Sequence, residues 1–424
     1  MNDMHAIILA AGKCSRFWPL NENGHKSQMR LFGKSVLEHT INDIQNSGIE
    51  NIIVISSDGK IIENTNITNK NIKEVIQKEP KGMGDAVLIA KNAINDDSFF
   101  VFNSNHVNSS EIIKKCINEQ KNQDECVLVG AKTNNPVLYG IFGFDGKDAN
   151  KIIEKPNTGS EPSNIRVVGV YLLNSKFIEM LEKTPTKEYS FETALSKYLQ
   201  VNKTPVIRLN SNEIPQSLKY PWDLFSISNL FFKDKTLKTD IHSTVKISKN
   251  AVIDDSKGAV IIGKNTRVME CATIRGPVYI GENCLVGNNA VVRDYSNIEN
   301  NVVIGANTEV ARTIIQPNVH IHSGFIGDSV IDSNVRIGAG IITANKRIDR
   351  KEISIEVKGK IIPTGLKTMG CFIGKNSKIG ISVKTMPGVF IGANTIIGSG
   401  TNVEKHIQSN TKYYTKFKEI IEKR

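Results

Sequence analysis

The sequence predicts two domains, a doubly wound α/β domain followed by a coiled β solenoid, and two patterns carry that expectation. Between Ile262 and Val310 an aliphatic residue recurs at every sixth position: Ile262, Val268, Ile274, Ile280, Val286, Val292, Ile298, Ile304 and Val310. That period matches neither the roughly 3.6-residue turn of a helix nor the alternation of a strand, and it calls for short strands and turns in a regular coil. Upstream, apolar runs at Ala6–Leu9, Ile52–Ile55, Phe99–Phe102, Val127–Val129 and Val168–Leu172 are interspersed with helix-like stretches at Val36–Ser47, Ala86–Ile94, Glu111–Glu119 and Lys176–Leu181. Strands alternating with helices build a mostly parallel sheet covered on both faces, whose ligands bind at the carboxyl ends of the strands.

Length and composition fit this division. The chain has 424 residues, more than one core usually serves. No apolar stretch is long enough to span a bilayer and Met1–Lys13 lacks the features of a signal peptide, so a cytoplasmic protein without a membrane partner is expected. The six cysteines show no metal-ligand spacing and read as packing residues. A formal charge of +11 favours anionic partners, but the lysines are scattered without an aromatic-studded basic motif. Phosphorylated metabolites suit that charge better than nucleic acid.

In the second half, glycine follows several of the periodic residues (Gly263, Gly281, Gly287, Gly305). The fourth position after each aliphatic is small or β-branched, as at Thr266, Ala272, Cys284 and Ser296. The rhythm resumes at Ile373, Ile379, Thr385, Ile391, Ile397 and Val403. This resembles the hexapeptide-repeat left-handed parallel β-helix, in which three hexads form one triangular coil; the resemblance implies a homotrimer or a dimer of trimers. The expected divisions are 1–228 for the α/β domain, 229–240 for a linker with Phe231-Phe232 at the junction, 241–407 for the β-helix, and 408–424 for a basic tail. In that tail Tyr414, Phe417 and Ile421 are spaced for one face of a capping helix.

Two sets of residues carry chemistry. The first begins at Leu9-Ala10-Ala11-Gly12-Lys13-Cys14-Ser15-Arg16, followed by Lys26. Small residues let backbone amides approach phosphates, while Arg16 and Lys26 offset the charge of a nucleoside triphosphate. With Gln77, Gly82-Met83-Gly84-Asp85, Tyr139-Gly140 and Glu154-Lys155-Pro156, this segment resembles the sugar-1-phosphate nucleotidylyltransferases. The resemblance implies a Rossmann-like domain in which Arg16 and Lys26 are catalytic. It also implies that Leu9, Ala10, Ala11, Gly12, Ser15, Gln77, Gly82 and Met83 bind the nucleotide, and that Gly140, Glu154 and Lys155 bind the sugar phosphate. It further implies magnesium held by two aspartates, but Asn105 and Ser217 occupy those positions. Asp85, Glu154 and Asp223 are the carboxylates that could replace them. Cys14 stands where the loop ordinarily has glycine, and Val168 where an asparagine is usual.

The second set lies where the hexad count fails, after Val310 and across Thr343–Gly370, and breaks in a solenoid often carry function. His322–Val330, Ile337–Gly340 and Thr343-Ala344-Asn345 resemble the amino-sugar-1-phosphate N-acetyltransferases, some of which are fused to a nucleotidyltransferase in this order. The resemblance implies that His322 is the general base that takes a proton from the substrate amine before it attacks the thioester of acetyl-CoA. A neutral imidazole suits that task near pH 7. By the same resemblance Arg293 and Arg312 hold the sugar phosphate, Asn345 lies near the acetyl group, and Ala339 and Ser399 meet coenzyme A. Phe325 replaces a usual tyrosine and Arg336 an asparagine. Lys351 belongs to a basic run, with Lys346, Arg347 and Arg350, that could meet coenzyme A phosphates.

The leading expectation is a bifunctional enzyme that acetylates an amino-sugar-1-phosphate and couples it to a nucleotide, giving a product such as UDP-N-acetylglucosamine. Two alternatives stand beside it: an acetyltransferase whose first domain does not turn over, and a nonenzymatic subunit that uses both domains to bind ligands.

Overall fold

A computed structural model of the chain describes residues 4–94, 97–122 and 125–422. It divides into two compact units, Met1–Lys13 with Lys34–Ser217, and Cys14–Gly33 with Leu218–Arg424. The expected boundary at residue 228 therefore moves. Cys14–Gly33 and the stretch from Leu218 onward group with the solenoid, because their buried contacts are made there.

In the first unit, β1 (His5–Ala10), α1 (Val36–Asn46), β2 (Asn51–Ser56), β3 (Ile72–Ile76), α2 (Met83–Ala90), β4 (Ser98–Asn103), α3 (Ser110–Glu119) and β5 (Val127–Lys132) come in turn. They are followed by the β6–β7 hairpin (Gly140–Asp145, Asp148–Glu154), β8 (Ile165–Asn174), α4 (Ser175–Glu182), α5 (Ser190–Val201) and β9 (Val206–Leu209). The strands lie in the order β9-β5-β8-β4-β1-β2-β3, with the hairpin joined to β8. All pairs along that order are parallel except those of β8, which runs against β4 and β5. Helices cover both faces, so the central strands are apolar on both. Ile7, Ile53 and Val101 pack with residues of α2, α4 and α5, while Ile8, Val54 and Phe102 pack with α1 and α3. Register then aligns the carboxyl ends, since Leu9 pairs with Asn103, Ala10 with Ser56 and Ser56 with Ile76. The loops after β1, β3 and β4 consequently leave from one edge.

In the second unit, three parallel sheets of eight, nine and eight strands form a three-sided β-helix. The first face runs from Asp240–Ile241 to Phe390–Ile391, the second from Lys246–Ile247 to Lys412–Tyr413, and the third from Val252–Asp254 to Asn402–Val403. Partners on regular coils are 18 residues apart, as for Asn376 and Asn394. Ile262, Ile280, Ile298, Ile315, Ile331, Ile373 and Ile391 stack in one inward column, each no more than 1% exposed. Where the hexad count fails, coils shorten, so that Ile298 meets Ile315 and Ile315 meets Ile331. Between Ile331 and Ile373 the chain leaves the coil and forms an antiparallel hairpin, Ser354–Val357 with Lys360–Pro363.

One corner carries an asparagine column. Asn265, Asn283, Asn301, Asn318, Asn334, Asn376, Asn394 and Asn410 all have φ between 55° and 63°, the left-handed region that asparagine tolerates better than most residues. Side-chain amides link rungs, from Asn334 Nδ2 to Asn376 Oδ1 and from Asn376 Nδ2 to Asn394 Oδ1, each 3.1 Å.

The ends differ from expectation. Helix α6 spans Asp223–Phe232 and takes in the first residues assigned to the linker. The tail is not a helix over 411–422: Lys412–Tyr413 adds the last strand to the second face, which holds its backbone extended. Tyr414 and Phe417 then lie against Gly398 and Gly400. Residues 423–424 fall outside the described residues. Cys284 and Cys371 point inward, whereas Cys271 is exposed. Among the described residues no helix is long and apolar enough to cross a membrane.

Segment Cys14–Gly33 holds a half-buried imidazole. His25 Nδ1 accepts from the Ser27 amide at 3.3 Å and lies 2.8 Å from Ser27 Oγ. Burial, helped by the Lys26 charge, brings its pKa from 6.5 down to about 3. In the folded chain His25 stays neutral while the unfolded chain gains a proton below pH 6.5, so stability is full above that value and falls toward pH 3. The loss approaches about 1.4 kcal/mol per pH unit. Replacing His25 by Gln should flatten this acid limb in denaturant titrations of the second unit between pH 6.5 and 4. Asn376→Ala should cost about 1–2 kcal/mol, through two lost bonds and a strained φ. Asn376→Gly should recover the conformational part, read by thermal unfolding.

Candidate active sites

The aligned edge of the first unit gathers the nucleotide-type residues. Leu9 and Ala10 end β1, and a side chain at Gly12 would meet nothing within 4 Å, so the loop is open to a ligand. Gly82 precedes α2 at φ 106°, and a Cβ there would come 2.6 Å from the Glu188 carbonyl, so only glycine fits. Met83 opens the helix. Gln77, buried just beyond β3, donates from Nε2 to the Gly82 carbonyl at 3.2 Å and to Asp85 Oδ2 at 2.7 Å. Its amide nitrogen is engaged on its own loop.

The hairpin supplies the other group. Gly140 pairs with Glu154, and a Cβ on Gly140 would sit 2.8 Å from Glu154 Oε2. Lys155 follows at φ 47°, its amide bonded to the Tyr139 carbonyl, with Nζ 3.4 Å from Glu154 Oε1. Burial, reinforced by Glu154, raises the pKa of Glu192 beside them.

The metal-aspartate positions do come together. Val107 bridges Gln216 in an antiparallel contact, which sets the segments of Asn105 and Ser217 side by side. Asn105 is 5% exposed, and a Cβ on Gly169 would lie 2.8 Å from Asn103 Nδ2 and 3.1 Å from His106 Cε1. The donors offered are an amide, a hydroxyl and neighbouring neutral groups. Among the described residues no three His, Cys, Asp or Glu side chains could hold a metal together. Hard divalent cations are held chiefly by carboxylates, and these residues do not fit magnesium. The three possible substitutes are each engaged through one oxygen. Asp85 holds Gln77, Glu154 is beside Lys155, and Asp223 Oδ2 accepts from the amides of Lys219 and Tyr220, each at 2.7 Å.

Ser15, Arg16 and Lys26 belong to the second unit. Ser15 and Arg16 are exposed, and Cys14 before them has φ 47°, which accounts for the glycine usual at that place. Lys26 Nζ donates to the Leu218 carbonyl at 2.5 Å, and burial lowers its pKa.

On the solenoid, His322 is exposed at the corner between the second and third faces. Gly305 one coil earlier could carry no side chain, since a Cβ would lie 2.0 Å from the His322 carbonyl. A cavity of about 450 Å³ opens beside His322, lined by His320, Arg336, Gly338, Ala339, Lys378 and Ile381 among others. Register explains the cluster, because His320, Arg336 and Lys378 are successive rungs of one column. Lys378 belongs to no motif of the sequence, although the hexad count places it one rung from Arg336. Burial, then the charges of Arg336 and His322, lowers the pKa of His320. The corner continues past Ala339 to Ser399: Ser382 N bonds to the Ala339 carbonyl, and Gly400 N to the Ile381 carbonyl.

Asn345 is not beside His322. It follows strand Ile341–Thr343, at the far end of the third face. There Asp328 receives Arg312 through both carboxylate oxygens, at 2.7 and 2.9 Å, and Asn345 Nδ2 at 2.5 Å. Arg293 is paired with Glu309 at 2.6 Å. Phe325 and Asn345 both crowd Gly327, 2.7 and 3.0 Å from where its Cβ would be. A second cavity, about 340 Å³, includes Arg312, Asp328, Lys233, Tyr295 and Thr368 in its lining. Lys351 is in the inserted loop, its amide on Asp349 Oδ1 at 3.2 Å. The acetyltransferase-type residues thus form two clusters, one at each edge of the third face.

Comparison with known proteins agrees with this division. Residues 5–212 match the nucleotidyl transferase family model, 259–294 the bacterial transferase hexapeptide model, and 369–385 the hexapeptide repeat of succinyl-transferase. The chain is 36% identical over 431 residues to the "Bifunctional protein GlmU" of Methanococcus maripaludis strain C7, covering 99% of this chain and 100% of that protein. It is 33% identical over 429 residues to the protein of that name in Methanocaldococcus jannaschii, again with 99% and 100% covered. With the "Bifunctional sugar-1-phosphate nucleotidylyltransferase/acetyltransferase" of Sulfurisphaera tokodaii it shares 32% over 418 residues, 95% of this chain and 98% of that one. With both halves matched over nearly their full length, the chain belongs to the GlmU-type family of bifunctional nucleotidyltransferase/acetyltransferases.

Proposed function

We propose that this chain N-acetylates glucosamine-1-phosphate, or a related amino-sugar phosphate, from acetyl-CoA and transfers a nucleotidyl group from UTP or dTTP to the sugar-1-phosphate, releasing pyrophosphate. The observation that carries the reading is His322, exposed at the mouth of a cavity in a chain related end to end to bifunctional transferases. A neutral imidazole there takes the proton from the substrate amine, whose lone pair then attacks the thioester carbonyl, and the coenzyme leaves as thiol. Arg336 and Lys378 in the cavity lining suit the phosphates of coenzyme A. The corner from His322 to Ser399 rises three rungs, roughly 15 Å at the spacing of neighbouring strands, and suits an elongated co-substrate. The amine site needs Arg293, Arg312 and Asn345, which one chain holds at the opposite edge. A homotrimer, in which one subunit offers His322 and the next the arginine cluster, brings both edges into one site.

In the first domain, the Gln77 amide nitrogen is engaged, so its carbonyl oxygen is the atom suited to the imide N–H that uracil and thymine share. By the resemblance of their motif, Arg16 and Lys26 neutralise phosphate charge as the sugar phosphate oxygen attacks the α-phosphorus. A second reading, acetyl transfer alone, is favoured by the neutral donors at Asn105 and Ser217. A cytoplasmic location for this chain belongs to the same proposal.

Replacing His322 by Ala should lower thiol release from acetyl-CoA with glucosamine-1-phosphate by 10²-fold or more; full activity in the variant would remove His322 from the mechanism. The double substitution Asn105→Asp and Ser217→Asp should raise magnesium-dependent pyrophosphate release from UTP and N-acetylglucosamine-1-phosphate at least tenfold. No gain would mean that the missing carboxylates are not what limits the first domain.

A further inference from the structure

The first face of the solenoid breaks its own glycine rule on three consecutive coils. The residue after the inward aliphatic is Gly263, Gly281, Gly374 or Gly392 on the coils to either side, with His242 on the first coil, but Glu299, Gln316 and Asp332 between them. The register does not change there, since the amides of Glu299, Gln316 and Asp332 bond to the carbonyls of Ile315, Ile331 and Ile373. These three side chains are 0%, 2% and 3% exposed. Burying such groups is unfavourable unless their polar atoms are bonded, and each side chain accepts from a backbone amide of one segment, Cys14–Gly33; Glu299 also accepts from Asn297 Nδ2 and keeps Oε2 3.6 Å from the Arg30 guanidinium, without a hydrogen bond.

Glu299 Oε1 accepts from the Gly33 amide at 3.2 Å, and the neighbouring Asn297 Oδ1 from the Phe32 amide at 2.8 Å. Gln316 grips Arg30 from both sides, accepting from its amide at 2.9 Å and donating to its carbonyl at 2.8 Å. Asp332 Oδ2 accepts from the Asn21 amide at 2.8 Å. Gly374 has no side chain where the Pro19 carbonyl lies, 2.7 Å from a built Cβ, and the amide of Ala393 donates to Glu22 Oε1 at 3.2 Å. Aromatic contacts fix both ends, Phe32 on Tyr279 at 5.1 Å and Trp18 on Phe390 at 5.9 Å between ring centroids. The segment is thus held coil by coil along this face, by bonds to its backbone that fix its register as apolar packing alone would not.

We propose that Glu299, Gln316 and Asp332 are positioning residues for nucleotidyl transfer: the acetyltransferase-type solenoid holds the segment that carries Arg16 and Lys26 in its phosphate-binding conformation. This rests on the reading of Arg16 and Lys26 as ligands of the triphosphate. It makes the solenoid necessary to the first reaction through residues that take no part in the second.

The test uses the full-length protein and UTP affinity measured by calorimetry, a readout that does not depend on turnover. Gln316→Leu keeps most of the side-chain volume and removes both bonds to Arg30; Asp332→Ala is the independent second variant. Both should weaken UTP binding at least tenfold and accelerate amide exchange over residues 18–33, with thiol release at the acetyltransferase site within twofold of the unmodified protein. That acetyl activity certifies the fold, and if one variant fails it the other decides. Arg16→Ala separates the two claims. If Arg16→Ala leaves UTP affinity unchanged, the reading of Arg16 fails and the proposal with it. Where Arg16→Ala weakens binding but a folded Gln316→Leu or Asp332→Ala with faster exchange binds UTP normally, the positioning role alone is overturned.

Discussion

The solenoid depends on one constraint, that each strand bonds in register to the strand one coil below. Once the inward aliphatic residues stack, as Ile262, Ile280 and Ile298 do, every other residue is committed to a column whose environment repeats. A column is therefore a unit of function as well as of packing. One is a ladder of asparagines at positive φ; another sets His320, Arg336 and Lys378 above one another and gathers charge beside His322. A third alternates between glycine and buried acceptors, according to which stretch of Cys14–Gly33 passes over it. Shortened coils and the inserted hairpin change residue count without breaking the columns, which is why the irregular part of the repeat can hold the chemistry.

The first unit obeys a different constraint with a similar result. Parallel pairing of β4, β1, β2 and β3 brings their carboxyl ends to one edge, so loops distant in sequence arrive together. Glycines there are required by space. Gly82 faces the Glu188 carbonyl, and Gly169 faces Asn103 and His106. The edge is consequently built from close backbone approaches, even though Asn105 and Ser217 supply no carboxylate.

Much of this was legible in the sequence, because periodicity and strand–helix alternation report directly on backbone geometry. The five apolar runs all lie in strands, and the hexads predicted each inward column. What escaped is informative for physical reasons. Helix α5 has an apolar face at Phe191, Ala194, Leu195 and Tyr198 that spacing could have revealed, and the Asp145-Gly146 turn of the hairpin is an ordinary turn signal. The strand at Lys412–Tyr413 could not be read from Tyr414, Phe417 and Ile421, whose helical spacing is overridden by pairing with Ile396–Ile397. Nor does any local pattern show that Cys14–Gly33 belongs with residues hundreds of positions later. The run of buried polar residues at 299, 316 and 332 marks it, and that signal acquires meaning once the columns are known.

Under the proposed function, phosphate charge in nucleotidyl transfer falls to cations, and a cation is effective only as far as it is held in place. Lys26 is partly buried on the Leu218 carbonyl at a cost to its ionisation, and Asp223 lies near enough to oppose that cost. Arg16 is exposed, so its placement depends on the backbone that carries it. That backbone is fixed by Gln316 and Asp332, whose own bonds are buried and little screened by salt. On the proposed reading the rigidity of that cationic segment comes from the coils that hold its backbone.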